Sequence, residues 1–126
     1  MVSIRLIDVF FVGPLEIYIS FFIKNNLLRL YLLLNGLLVI LFNGYNYLHF
    51  EKKSRVINIK LLDKYSDPIT GKPQYHRFIL LSLIYPLHLY IILSESKNIP
   101  KPLLTIFTSH LVISFTYNYY NFVKYL

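Results

Sequence analysis

Two ionisable side chains stand inside long apolar stretches of this sequence, where they could carry proton or ion chemistry. Glu16 follows Pro14 by two positions, and His88 follows Pro86 by the same interval. A charged group in an apolar environment is costly and usually finds a polar partner. As a pair, Glu16 and His88 could relay a proton or an ion, or they could form a neutralised clamp that holds helices together. A further reading places Glu16 near a membrane surface.

Other residues that carry chemistry are sparse in the sequence. The four histidines stand at positions 49, 76, 88 and 110 without a helical i,i+4 pair, and the chain has no cysteine. We therefore expect no metal site and no cofactor. The sequence also lacks a phosphate-binding loop, a nucleophile elbow, a zinc-protease motif and a dinucleotide fingerprint. We predict that the protein is not an enzyme.

Four apolar segments would have to position Glu16 and His88, namely 4–23, 27–48, 78–93 and 103–123. A membrane-spanning helix needs roughly 20 residues, so the second and fourth fit well, the third is slightly short and the first contains two acids. Hydrophobic residues make up 56% of the 126 residues, and the mean hydropathy is +0.51. A small soluble domain has too few polar residues here to cover its surface. We predict an all-α membrane protein with four transmembrane helices.

Short connectors join the four segments into two helical hairpins, 1–48 and 77–126, separated by a polar, basic stretch at 49–76. Residues 14–19 match 86–91 at a constant offset, and residues 43–47 match 118–122 after a small insertion. Either the chain contains an internal repeat, or its biased composition produces the match by chance. A repeat of this kind would relate the hairpins by an axis along the membrane normal.

Two prolines and one pair of charges stand within or near the apolar segments. Pro14 and Pro86 are each expected to kink a helix, because proline removes a helix hydrogen bond. Alternatively, Pro14 marks the first turn of a helix that begins there, and the preceding residues lie along the membrane surface. Arg5 and Asp8 are three positions apart and share a helix face, where they either pair or are solvated separately.

Amide and glycine residues indicate where helices could contact each other. Pairs of asparagines one turn apart stand near the ends of the second and fourth segments, where they could bond across helices or contact headgroups. Two glycines of the second segment would allow backbones to approach closely. The residues assigned to helix packing are Gly36, Asn43, Gly44, Asn46, Asn118 and Asn121.

The distribution of basic residues predicts the topology. The net charge is +7, and nine of the thirteen Lys and Arg residues fall on the side of the termini and the 49–76 stretch if the chain crosses four times. The positive-inside rule places that side inside. Lys52, Lys53, Arg55 and Lys60 are expected to contact partner proteins or lipid headgroups. Since topology accounts for the charges, direct binding of nucleic acid is not expected.

Residues 12–19, a Gly-Pro-Leu-x-Ile-Tyr helix, and residues 41–48, which end in Asn-Gly-Tyr-Asn-Tyr-Leu, resemble small membrane proteins of nucleocytoplasmic large DNA viruses. The resemblance covers about the first 50 residues and, more weakly, the second hairpin, where Tyr85 and Tyr119 replace Gly13 and Gly44. It implies a structural protein of the virion's internal membrane that links the bilayer to minor capsid proteins. No enzymatic role comes with it.

Two other functions remain open at the level of sequence. The composition is rich in residues of AT-rich codons, which suits a large DNA virus and an organelle genome equally. The chain could therefore be an accessory membrane subunit of an organellar respiratory complex. A small ion or proton transporter that uses Glu16 and His88 is the third hypothesis.

Overall fold

A computed structural model describes residues 4–48 and 75–124. Every regular element in these two ranges is helical, which confirms the all-helical prediction for this part of the chain. The described residues do not include Lys52, Lys53, Arg55, Lys60 or the rest of the polar stretch up to residue 74, so the predictions for them are not tested. The predicted limits of the hairpins stay a prediction.

The chain divides into two compact units, Met1–Ile59 and Lys60–Leu126. In the first unit, α1 (Ile4–Ile7), a π-helical segment (Asp8–Val12) and α2 (Gly13–Ser20) form one helical run. A tight turn follows, and α3 (Asn26–Asn46) returns along that run. The Asn25 side chain caps α3, since its Oδ1 accepts hydrogen bonds from the backbone N–H groups of Leu27 and Leu28 at 3.0 and 3.1 Å.

The second unit has the same order of elements. It begins with α4 (Tyr75–Ile79), a second π-helical segment (Leu80–Ile84) and α5 (Tyr85–Glu95), and α6 (Lys101–Lys124) returns after a short turn. At that turn, the amide of Asn98 donates a hydrogen bond to the Glu95 carboxylate at 2.5 Å. Each unit is therefore a helical hairpin with a proline near the middle of its first arm.

The π-helical segments lie 72 positions apart, and each ends two residues before its matched proline. The N–H of Gly13 bonds to the carbonyl of Asp8, and the N–H of Tyr85 bonds to the carbonyl of Leu80, so both bonds span five residues. Proline interrupts the normal i→i−4 ladder, and one wider turn accommodates that interruption. The helical run therefore continues through Pro14, rather than beginning there.

The buried faces of the two hairpins recur at the same offsets. In the first arms, buried positions 13, 16, 19, 20 and 23 correspond to buried positions 85, 88, 91, 92 and 95. In the second arms, Leu32 and Gly36 correspond to Phe107 and Leu111 at an offset of 75, and all four are buried. The other buried positions of the first hairpin, 12, 15, 45 and 46, have half-buried or exposed counterparts, so the burial pattern repeats in part.

Within the described residues, two helices are long and apolar enough to cross a membrane, Asn26–Asn46 and Arg77–Glu95. They coincide with the second and third predicted segments. The fourth segment lies in α6, which is long enough but interrupted by Thr, Ser, His and Asn side chains. The first contains two acids and the π-helical segment. The length and composition of these two helices thus support a membrane location. Four membrane crossings are part of the proposed function.

Candidate functional site

The polar centre of the first hairpin is Glu16, which lies in the first turn of α2. It is 2% exposed. Its Oε2 accepts a hydrogen bond from the Nδ2 of Asn35 on α3, at 2.8 Å. The bond crosses between the two arms, so a buried carboxyl group gains a donor from the facing helix.

A close contact between two glycines brings Asn35 to Glu16. A Cβ atom added to Gly36 would lie 2.8 Å from the carbonyl oxygen of Gly13 and 2.8 Å from the Cγ1 of Ile17. A Cβ atom added to Gly13 would lie 2.9 Å from the carbonyl oxygen of Gly36. The helices are therefore in backbone contact at this crossing, as small residues permit in membrane helix pairs.

Further ionisable groups of the first hairpin lie near Glu16. Asp8, in the π-helical segment, is within electrostatic reach of both Arg5 and Glu16. Tyr31, one turn before Asn35 on α3, is within electrostatic reach of Glu16. Two carboxyl groups, a phenol and an amide thus share one hairpin, and this arrangement can fix the two arms in register or hold a proton.

His88 occupies the position of Glu16 in the second hairpin, and it has different partners. It is 3% exposed, and its Nδ1 donates a hydrogen bond to the carbonyl oxygen of Ile84 at 2.8 Å. Its ring lies 5.4 Å from the ring of Phe107 on α6. Glu16 and His88 therefore both have partners within their own hairpins. The predicted contact between them stays a prediction.

The partners of Glu16 and His88 follow the repeat only in part. Asn35 corresponds to His110 at the offset of 75. The ring nitrogens of His110 lie 3.2 and 3.3 Å from the Oγ of Ser114 on the same helix. The repeat thus places polar residues at equivalent sites in both hairpins and gives them different hydrogen bonds.

The four predicted packing asparagines form two kinds of contact. Asn118 bonds across helices, because its Oδ1 accepts from the Nη1 of Arg77 at 3.0 Å and its Nδ2 donates to the hydroxyl of Tyr85 at 2.7 Å. Asn43, Asn46 and Asn121 donate to carbonyl oxygens one turn earlier on their own helices, at 2.8–3.0 Å. Asn46 is fully buried, and its Oδ1 has no hydrogen-bond partner.

The two predicted packing glycines lie in different surroundings. Gly36 is at the crossing with Gly13, where added volume would meet backbone atoms. A Cβ atom on Gly44 would meet only the Cγ2 of Val9, at an ordinary 3.8 Å. Close approach of backbones therefore depends on Gly36 and not on Gly44.

Sequence reasoning missed two residues that the structure places at polar centres. Asn35 is the single polar side chain between residues 32 and 42, and that isolation within a Leu-rich run was a usable signal. Arg77 was matched to Arg5 in the repeat and counted as a positive charge for topology, although it is 5% exposed and bonded to Asn118. Its position directly before an apolar segment gave no indication of burial.

Comparisons with protein-family models, with curated proteins and with solved structures each found no match to this chain.

Proposed function

We propose that this protein is a structural multi-pass membrane protein in which two repeated helical hairpins cross the bilayer four times. One observation carries the proposal. The apolar windows of Asn26–Asn46 and Arg77–Glu95 are only 11% and 17% buried. A core helix of a soluble protein would have most of such a window covered by protein, whereas lipid can cover these side chains instead.

The polar groups of the helices support the same proposal. Glu16, Asn46, Arg77 and His88 are buried, whereas large apolar side chains such as Leu41, Leu93 and Ile113 are exposed. Exposed hydroxyl groups bond to their own helices: Ser82, Ser94, Thr105 and Thr116 each donate to the carbonyl oxygen four residues earlier, at 2.6–3.0 Å. Such bonds satisfy polar groups where no water is present.

The proposed topology places both hairpin tips on one face of the membrane and the 49–76 stretch with both termini on the other. The excess of basic residues on the second side makes that side the inner one. In each hairpin, a turn of a few residues joins the two arms, which is what antiparallel neighbouring spans require.

Cysteine labelling tests this topology directly, since the natural chain has no cysteine. Lys24→Cys and Lys97→Cys should react with a membrane-impermeant maleimide from the same side of sealed vesicles, and Thr70→Cys should react only from the opposite side. The protein should also stay in the pellet after extraction with alkaline carbonate. Labelling of the two tips from opposite sides would refute the four-span topology, and release by carbonate would refute membrane integration.

The finer part of the proposal is a role in the particle of a large DNA virus, as a link between the internal membrane and minor capsid proteins. It is supported by the resemblance of residues 12–19 and 41–48 to small membrane proteins of such viruses. The test is the protein content of purified particles: the chain should be present, and mild detergent should remove it together with the lipid. Copurification with a respiratory complex would instead favour an accessory organellar subunit.

Proton or ion transport is a second candidate, favoured by the electrostatic proximity of Asp8 and Glu16 in one hairpin. A structural clamp is the stronger interpretation, because Glu16 is bonded to Asn35 at a crossing where the two backbones are in contact. A relay would need a continuous series of ionisable groups across the membrane.

A further inference from the structure

Arg77 is a buried cation in the second hairpin, and no carboxylate of residues 75–124 is seen to pair with it. Its Nη1 donates to the amide oxygen of Asn118 at 3.0 Å, and its guanidinium carbon lies 5.5 Å from the centre of the Tyr117 ring. Its Nε is buried and has no hydrogen-bond partner. An amide and an aromatic ring carry no net charge, so this site has a positive charge and a donor left for an anion.

The equivalent arginine of the first hairpin has its own counter-charge. Arg5 lies 72 positions before Arg77, and Asp8 is within its electrostatic reach. The residue that corresponds to Asp8 is Leu80. Within the described residues, the second hairpin therefore has the matching arginine but no carboxylate at the position of Asp8, and an anion from outside the chain can supply the negative charge.

An apolar groove lies in the same hairpin as Arg77. It lies between the two arms of the second hairpin and has a volume of about 310 Å³. Its lining residues are Phe78, Leu81, Ser82, Phe115, Tyr119 and Phe122. Two contacts connect the site to the groove: Asn118 donates to the hydroxyl of Tyr85, and the Tyr85 ring lies 6.0 Å from the ring of Phe115, which lines the groove. In the second hairpin, Tyr85 and Leu111 occupy the positions that match Gly13 and Gly36. Bulky side chains therefore stand in place of the glycines that bring the backbones together in the first hairpin.

We propose that this site binds an anionic phospholipid, with the phosphate on Arg77 and Asn118 and an acyl chain in the groove. A guanidinium group matches the oxygen atoms of a phosphate, and the amide of Asn118 holds it in place. The apolar lining suits a hydrocarbon chain. The site also lies at the end of the hairpin that the topology places inside, where anionic lipids of a cell membrane are concentrated. The inference rests on the proposed membrane location.

The test measures lipid binding to the full-length purified protein by native mass spectrometry, with phosphatidylglycerol and phosphatidylcholine as probes. The natural chain should retain phosphatidylglycerol in preference to phosphatidylcholine. Arg77→Gln should weaken retention of phosphatidylglycerol by about tenfold or more, since a charge-assisted contact is lost. Arg5→Gln is the matched control and should bind like the natural chain.

Leu80→Asp separates binding from folding. It installs the carboxylate that the first hairpin has at Asp8, so it should release phosphatidylglycerol while the hairpin stays folded and its helix content by circular dichroism is unchanged. Retention of phosphatidylglycerol by both Arg77→Gln and Leu80→Asp would overturn the proposal. So would equal competition by inorganic phosphate, because the groove would then contribute nothing.

Alkaline carbonate extraction of the same variants distinguishes the two proposals. Variants that stay in the membrane and show no preference for phosphatidylglycerol refute the lipid site alone. Release of the natural chain from the membrane refutes the proposed function.

Discussion

The glycine crossing of the first hairpin gives the sharpest quantitative prediction. Replacing Gly36 by Ala puts a Cβ atom about 2.8 Å from the carbonyl oxygen of Gly13, and backbone atoms cannot move aside as a side chain can. Replacing Gly44 by Ala in the same helix meets only the Cγ2 of Val9 at 3.8 Å. Both substitutions replace glycine by alanine within a helix, which stabilises the helix by about 0.5–1 kcal/mol in each case. The difference between the two variants therefore isolates the cost of overpacking, which is about 1–3 kcal/mol.

A cysteine at a buried position can report this difference. Ser20 is 1% exposed and lies near the hairpin turn, so Ser20→Cys adds a nearly isosteric thiol that reacts with maleimide only when the hairpin opens. In that background, Gly36→Ala should be labelled about 5- to 150-fold faster than Gly44→Ala, which corresponds to about 1–3 kcal/mol. Labelling after denaturation should proceed at the same rate in both variants.

Equal labelling rates for the two glycine variants under native conditions would refute the reasoning. That result would mean that the arms do not touch at Gly13 and Gly36. The crossing would then not be what brings Asn35 within hydrogen-bond distance of Glu16.

Three further predictions concern the polar and aromatic centres of the hairpins. Asn35→Ala should speed labelling of the same thiol, because a buried Glu16 loses a donor at a cost of about 1–3 kcal/mol; Asn43→Ala, whose amide bonds only within its own helix, should change the rate little. Phe107→Ala should destabilise the second hairpin by about 3–5 kcal/mol, because this side chain is fully buried. Thermal unfolding in detergent should show a much smaller loss of stability for Phe115→Ala, because Phe115 is about half-exposed. Proton flux into liposomes should be the same for the natural chain, for Glu16→Gln and for empty vesicles. A flux that the natural chain carries and Glu16→Gln abolishes would establish the transport function instead.

The sequence by itself determined the helical elements and their order. Long apolar runs and the short connectors between them are local signals, and they predicted two hairpins within the described residues. The matched prolines were also visible, and each stands two residues after the end of a π-helical segment. A local signal is sufficient here because a helix forms its backbone hydrogen bonds within its own segment.

Tertiary structure decided which polar groups meet. The one extra residue in each π-helical turn rotates the following helix by about 100°, so the face that a regular period predicts is displaced. The crossing at Gly13 and Gly36 then selects Asn35, 19 positions away, as the donor to Glu16. In the second hairpin, 41 positions separate Arg77 from Asn118. Such contacts depend on the rotation and separation of two packed helices, and no short stretch of sequence specifies either quantity.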